Sequence, residues 1–224
     1  MSTFILFLTL VVLCYYAWCT KVLAQQQIES NTFSALTSIH ERMAQGRSTR
    51  RSLHNYFRER LANAVKGVLG SEFVGADGVD VSRVVACQEL PSDVRTFNRQ
   101  LDQDEMVKGD PRFGGRERKY ENALETVESV LADFDIIGLP LWEGVEAATT
   151  ALDAYRPVIE RTAPLILPFV VIQVRLRKDP HYKKHYFFML KKLGILETMS
   201  VDLSPLGIPE PKWEETSWWR RVFP

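Results

Sequence analysis

Few side chains in this sequence have the type and spacing that chemistry needs. His181 and His185 stand four apart, so on a helix both rings face one side, the spacing that holds a divalent metal in zinc proteases. Tyr182, Lys183 and Lys184 fill the gap, which leaves no carboxylate at the general-base position, and the two ammonium groups repel a dication. Two of the four ligands that zinc takes are also missing, so no metal site is expected. Glu121, Glu125 and Glu128 form an acidic stripe. Buried, crowded carboxylates push their pKa values apart and can divide acid and base work between them. Glu125 and Glu128 are therefore the residues to watch if the chain is an enzyme. A solvated helix face, or pairing with basic side chains of neighbouring helices, is the plainer reading. Catalytic residues stay unassigned and no cofactor is called for.

Other motifs fall short. Gly67, Gly70, Gly75 and Gly78 suggest a phosphate loop, but the Lys-Ser/Thr ending is missing and chain turns account for them. No G-x-S-x-G elbow occurs. Of three cysteines, Cys14 and Cys19 lie in the apolar N-terminal run and Cys87 is alone, so neither a disulfide framework nor a zinc knuckle is available. Cys87, among Val84, Val85 and Ala86, reads as a core residue.

Basic residues are more informative. One cluster is Arg42, Arg47, Arg50, Arg51, Arg58 and Arg60; another runs from Arg175, Arg177 and Lys178 through Lys183 and Lys184 to Lys191 and Lys192. The stretch from Glu121 to Glu160 between them is acidic, so pairing inside the fold is one expectation. Contact with anionic lipid is the other, at about 1 kcal/mol per well-placed basic side chain. Arg47, Arg50 and Arg51 are the candidate lipid contacts. A straight helix over residues 24–45 would carry them about 33 Å from the membrane, against a screening length of about 8 Å. Gly46 as a stop and Ser48 as a fresh cap favour a fold-back there instead. With zero net charge and no reader motif, nucleic acid is not an expected partner.

These residues need elements to position them. The 224 residues are 46% apolar and 25% charged, an ordinary globular composition. Residues 1–24 read as a transmembrane anchor: no charged side chain precedes Lys21, and Phe4 to Leu23 is long enough for a hydrocarbon core of about 30 Å. Tyr15, Tyr16 and Trp18 suit its interface. A cleaved signal peptide ending near Ala24 is the rival, weakened by the lack of a basic residue ahead of the run. Basic residues after the run place the body in the cytoplasm, as a single-pass protein.

Residues 25–47 read as a juxtamembrane helix, 48–200 as a helical bundle domain, and 201–224 as an extended tail with Pro205, Pro209, Pro211, Trp213, Trp218, Trp219, Arg220, Arg221 and Phe223. Within the bundle, Leu53, Phe57, Leu61 and Val65 recur at helical spacing, as do Leu124, Val127, Leu131 and Phe134 in a helix predicted over 116–134. Val81 to Val85 fits a short helix or a strand. Gly138-Leu139-Pro140 predicts a turn, and Pro164 and Pro168 predict a kink or break. Leu165 to Val174 is too short to span a membrane alone and suits a core or re-entrant segment. A last long helix is expected after Pro180. Strands and helices do not alternate, so the fold class is all-α: one transmembrane helix followed by an antiparallel bundle.

Asn122, Leu124, Glu125, Glu128, Val130 and Leu131, then Gly138, Arg175, Asp179-Pro180 and Tyr186-Phe187-Phe188, follow a recognisable order. From Asp93 to Leu193 the chain resembles a family of small bacterial membrane-anchored all-helical proteins of unassigned function. Leu165 to Val174 and the Trp-rich tail depart from that pattern. The resemblance implies an anchored bundle and carries no activity. The expectation is a membrane-tethered interaction module that meets the membrane and a protein partner or a second copy of itself. The alternative is an enzyme built around Glu125 and Glu128.

Overall fold

The computed structural model describes residues 2–102 and 122–211, without the side chains of 2–8 and 55. Glu121, the loop around Gly109 to Gly115, the start of the helix expected from Arg116, and the tail from Trp213 lie outside the described residues. Within them the chain is all-α apart from one small hairpin.

Helix α1 runs unbroken over Ser2–Gln45, so the expected anchor and juxtamembrane helix are one rod of 44 residues, about 66 Å long. Its two ends differ. Leu10, Leu13, Tyr16 and Leu23 are exposed, whereas Ile39 and Met43 are buried. Gly46 does end the helix, and α2 follows over Arg47–Val68. Ser48 does not cap it: Gly46 holds the N-cap position, where no side chain accepts a bond. The unbroken rod also overturns the expected role of a fold-back. Whatever the direction of α2, Arg47 stands about 33 Å along α1 from Ala24, because the chain rises about 1.5 Å per residue.

On α2 the expected stripe is buried: Leu53, Phe57, Leu61 and Val65 are 0–2% exposed. A 3-10 turn over Ser71–Phe73 and the antiparallel strands β1 (Val74–Gly75) and β2 (Gly78–Val79) fill the glycine-rich connection. Val81–Ala86 forms helix α3, because the Asp80 carboxylate accepts the Arg83 N–H at its first turn. Asp93 caps α4, Val94–Asp102, in the same way through Arg95 and Thr96.

Helix α5 spans Ala123–Trp142 and corrects the turn expected at Gly138-Leu139-Pro140, since it continues through all three. Pro140 sits near its end, where its missing N–H leaves one carbonyl, that of Ile136, without a helical donor. Helix α6 is Glu146–Asp153 and α7 is Arg156–Arg177, with Pro157 in the first turn. Pro164 and Pro168 do not break α7. The last long helix is shorter than expected: α8 covers Lys184–Lys192, and α9 is one turn, Ile195–Thr198. The described part of the tail is not simply extended. It makes a 3-10 turn over Ser204–Leu206 and buries Leu206 and Pro211.

Among the residues described with their side chains, one helix, α7, is long and apolar enough to cross a membrane, and two-thirds of its apolar window, 67%, is buried inside the body. Leu165 to Val174 therefore lies in the core. Phe169 meets Phe57 edge-on at 6.2 Å and Phe97 at 6.4 Å, which joins α7 to α2 and α4. Helix directions are mixed. Arg50 lies over Phe134 while Tyr56 reaches Thr126, so α2 is antiparallel to α5. Asp135 meets His185 while Trp142 meets Phe188, so α8 runs alongside α5 in the same direction.

Candidate functional site

Among the described residues, a dense set of polar and aromatic side chains lies along the seam of α5 and α8. Gly138 lets the two backbones close. A Cβ at that position would fall 2.8 Å from the His185 carbonyl carbon and 3.3 Å from the Met189 Cβ. Asp135, one turn earlier, then reaches the start of α8. Its Oδ1 accepts the Tyr186 N–H at 3.1 Å and its Oδ2 lies 3.5 Å from His185 Nδ1. This carboxylate caps a helix from another helix, satisfying a donor that the left-handed Lys183 at the N-cap leaves open.

Aromatic rings complete the seam. Trp142 meets His185 and Phe188 edge-on at 5.4 and 5.5 Å, and Lys184 stands over its ring at 4.5 Å. Tyr182 lies beneath the Arg177 guanidinium at 4.6 Å. Burial pushes the Tyr182 phenol up to about 12; Arg177 opposes the shift, while Glu128 and Asp135 add to it. Tyr186 is buried and stacks on Phe134 at 6.1 Å, and burial raises its phenol too.

Each of the two constellations read from the sequence brings one residue near the seam. His185 is half-buried beside Asp135, and Glu128, also half-buried, acts through its charge on the Tyr182 phenol. Glu125 and His181 do not join them, as both are exposed. Glu125 lies in the first turn of α5, where a negative charge favours the helix dipole. Asp135, Tyr182 and Trp142 carry the seam; in the sequence Tyr182 stands out only as a helix position between the two histidines, and Asp135 and Trp142 fit no motif. Asp135, inside Phe134-Asp135-Ile136-Ile137, interrupts an apolar run, and that was the available signal. Among the described residues no three His, Cys, Asp or Glu side chains converge as a metal site would require.

The structure divides the arginines Arg47, Arg50 and Arg51. Arg47 and Arg51 are exposed, but Arg50 is only 5% exposed and cannot meet lipid. Its guanidinium donates to the Met43 carbonyl, lies 5.9 Å from the Phe134 centroid, and has one buried nitrogen, Nη1, without a hydrogen-bond partner. Burial lowers its pKa and Asp133 opposes the shift. Asp133 pairs with Arg42 at 2.9 Å, so the docked end of α1 is held to α5 by a charged joint. Gly46 leaves room for the charged side chains of Arg50 and Asp133. A Cβ would fall 2.5 Å from Arg50 Nη1 and 2.9 Å from Asp133 Oδ2.

Two cavities lie elsewhere. One of about 540 Å³ opens between α8, α9 and the following segment, with Phe187, Phe188, Leu196, Leu203 and Ile208 on its walls. Another of about 420 Å³ lies between α2 and the hairpin, beside His54, Tyr56 and Arg58. Cys87 is half-buried and directs its thiol to the Glu89 carbonyl. No family model, curated protein or solved structure matches this chain.

Proposed function

We propose that the chain is a single-pass, membrane-tethered helical interaction module, with no reaction assigned to it. The observation that carries this reading is the asymmetry of α1. Its last turns bury Ile39 and Met43 in the body, while Leu10, Val11, Val12, Leu13, Tyr15, Tyr16, Trp18 and Leu23 are 49–72% exposed. Apolar surface on that scale, all around one helix, needs an apolar solvent. The run from Phe4 to Leu23 has the length of a hydrocarbon core, about 20 residues. Lys21 and the arginines beyond it favour a cytoplasmic body.

The seam supports interaction more readily than catalysis. Its groups are engaged with each other: Asp135 with a helix N-terminus, Tyr182 with Arg177, Trp142 with Lys184. Glu125 and Glu128 have different surroundings and do not form the crowded pair that acid–base work would use. The partner is a protein or a second copy of the chain.

Carbonate washing of membranes, with mass measurement of the intact chain, tests the anchor. The expected result is a chain that stays in the pellet with residues 1–24 present. A soluble chain beginning at Gln25 would make the segment a cleaved signal and remove the tether.

A further inference from the structure

We propose that the turn between α7 and α8, residues 178–183, is a docking surface for an acidic segment of a partner protein; this rests on the interaction-module reading. Two independent observations support it. The first is backbone conformation. Lys178 and Lys183 bracket the turn with φ of 54° and 56°. Glycine takes this left-handed conformation without a steric penalty, and asparagine tolerates it better than lysine does. Lysine at both ends therefore keeps two ammonium groups at a conformational cost, and such cost collects where a side chain has a task.

The second is the charge and its orientation. Arg177, Lys178, Lys183 and Lys184 carry four positive charges on and beside the turn. The carboxylates facing them are Asp179, whose Oδ1 accepts the His181 N–H, and Glu89, 3.6 Å from Lys178 with both side chains exposed. Asp135 lies behind, beside His185, and the charges of Glu128 and Asp135 both act on Tyr182. Arg177 and Lys184 are held over Tyr182 and Trp142, so these cations lose less freedom when a partner binds.

Along α5 the turn and the start of α8 face Glu128 through Tyr182 and Trp142 through Lys184. A zwitterionic bilayer offers these cations no anionic headgroup, so peptide binding in the test below is read against protein alone. The face of Tyr182 beneath Arg177 is occupied, which removes a stacking platform that single-stranded nucleic acid would use.

The test uses the full chain in nanodiscs of zwitterionic phosphatidylcholine, with a fluorescein-labelled glutamate-rich peptide as probe and anisotropy as readout. Binding should be present at low salt and weaken as salt rises. The double variant Lys178→Gly, Lys183→Gly should bind roughly three- to tenfold more weakly, the scale of exposed ion pairs. Its unfolding midpoint should hold or rise, because glycine relieves the left-handed backbone. The proposal is overturned by no binding at low salt or by equal binding of the variant. It is also overturned by a fall in the variant's midpoint, or by tighter binding of an oligonucleotide of equal charge. If the chain does not enter nanodiscs, the anchor reading fails separately, and the same peptide assay on the soluble chain still decides the docking surface.

Discussion

Helices α1 and α7 are both long and apolar, yet the fold treats them in opposite ways. The body encloses α7, where Ile166, Leu167, Phe169, Val170 and Ile172 are all 0% exposed. It encloses only the last turns of α1 and leaves Leu10 to Leu23 uncovered. Composition does not separate the two cases; what surrounds each helix does. An apolar face covered by protein contributes to folding, whereas an uncovered one requires another solvent or another chain.

Paired truncations should expose that difference, beginning with the largest effect. Phe169→Ala removes a ring packed against Phe57 and Phe97 and should cost about 3–5 kcal/mol in urea unfolding of the detergent-solubilised full chain. Leu13→Ala on α1 should change the body's stability by less than about 0.5 kcal/mol. Similar losses at both positions would show that the free end of α1 is a part of the folded core, and the contrast between the helices would collapse.

A second pair sharpens the boundary within α1 itself. Ile39 is 0% exposed and Ile28 is 66% exposed on the same rod. Ile39→Ala should cost about 2–4 kcal/mol and Ile28→Ala less than about 0.5 kcal/mol. The step between them marks where the stalk becomes docked helix. If Ile28→Ala is as costly as Ile39→Ala, the stalk is covered by a second copy or by the body, and cross-linking of the full chain would tell which.

Local pattern made much of this legible. The stripe Leu53, Phe57, Leu61 and Val65 is buried as spacing implies, and so are Val127, Leu131 and Phe134. In these helices one periodic face meets one core, so sequence spacing and tertiary contact agree. The prolines were misleading because Pro140, Pro164 and Pro168 act on local hydrogen bonds, while packing of the surrounding turns keeps α5 and α7 continuous. Arg50 could not be told from Arg47 and Arg51 by type. Its burial depends on Met43, Phe134 and the bare Gly46, which the fold brings together from distant positions. Asp135 was hidden for the same reason, since the donor it satisfies belongs to Tyr186 on another helix.

The smallest expected effect concerns the contact between α2 and α7 at His54. Its Nε2 lies 3.3 Å from the Thr162 hydroxyl on α7. Burial lowers the pKa of this imidazole, and the Arg161 charge lowers it further. The folded state thus binds a proton less readily than the unfolded chain does, where the ordinary value is 6.5. Stability from this group is fully present above that value. It declines as pH falls below it and levels off once pH passes the lowered folded value. The comparison is differential, so that titration elsewhere in the chain cancels. Urea unfolding of the full chain at pH 7.5 and pH 5.5, about one unit either side of the free value, should show a smaller loss for His54→Gln than for the parent. Glutamine can still reach the Thr162 hydroxyl but does not titrate. An equal loss in both would mean that His54 remains as hydrated as in the unfolded chain, and that α7 is less enclosed on its α2 side than its apolar residues indicate.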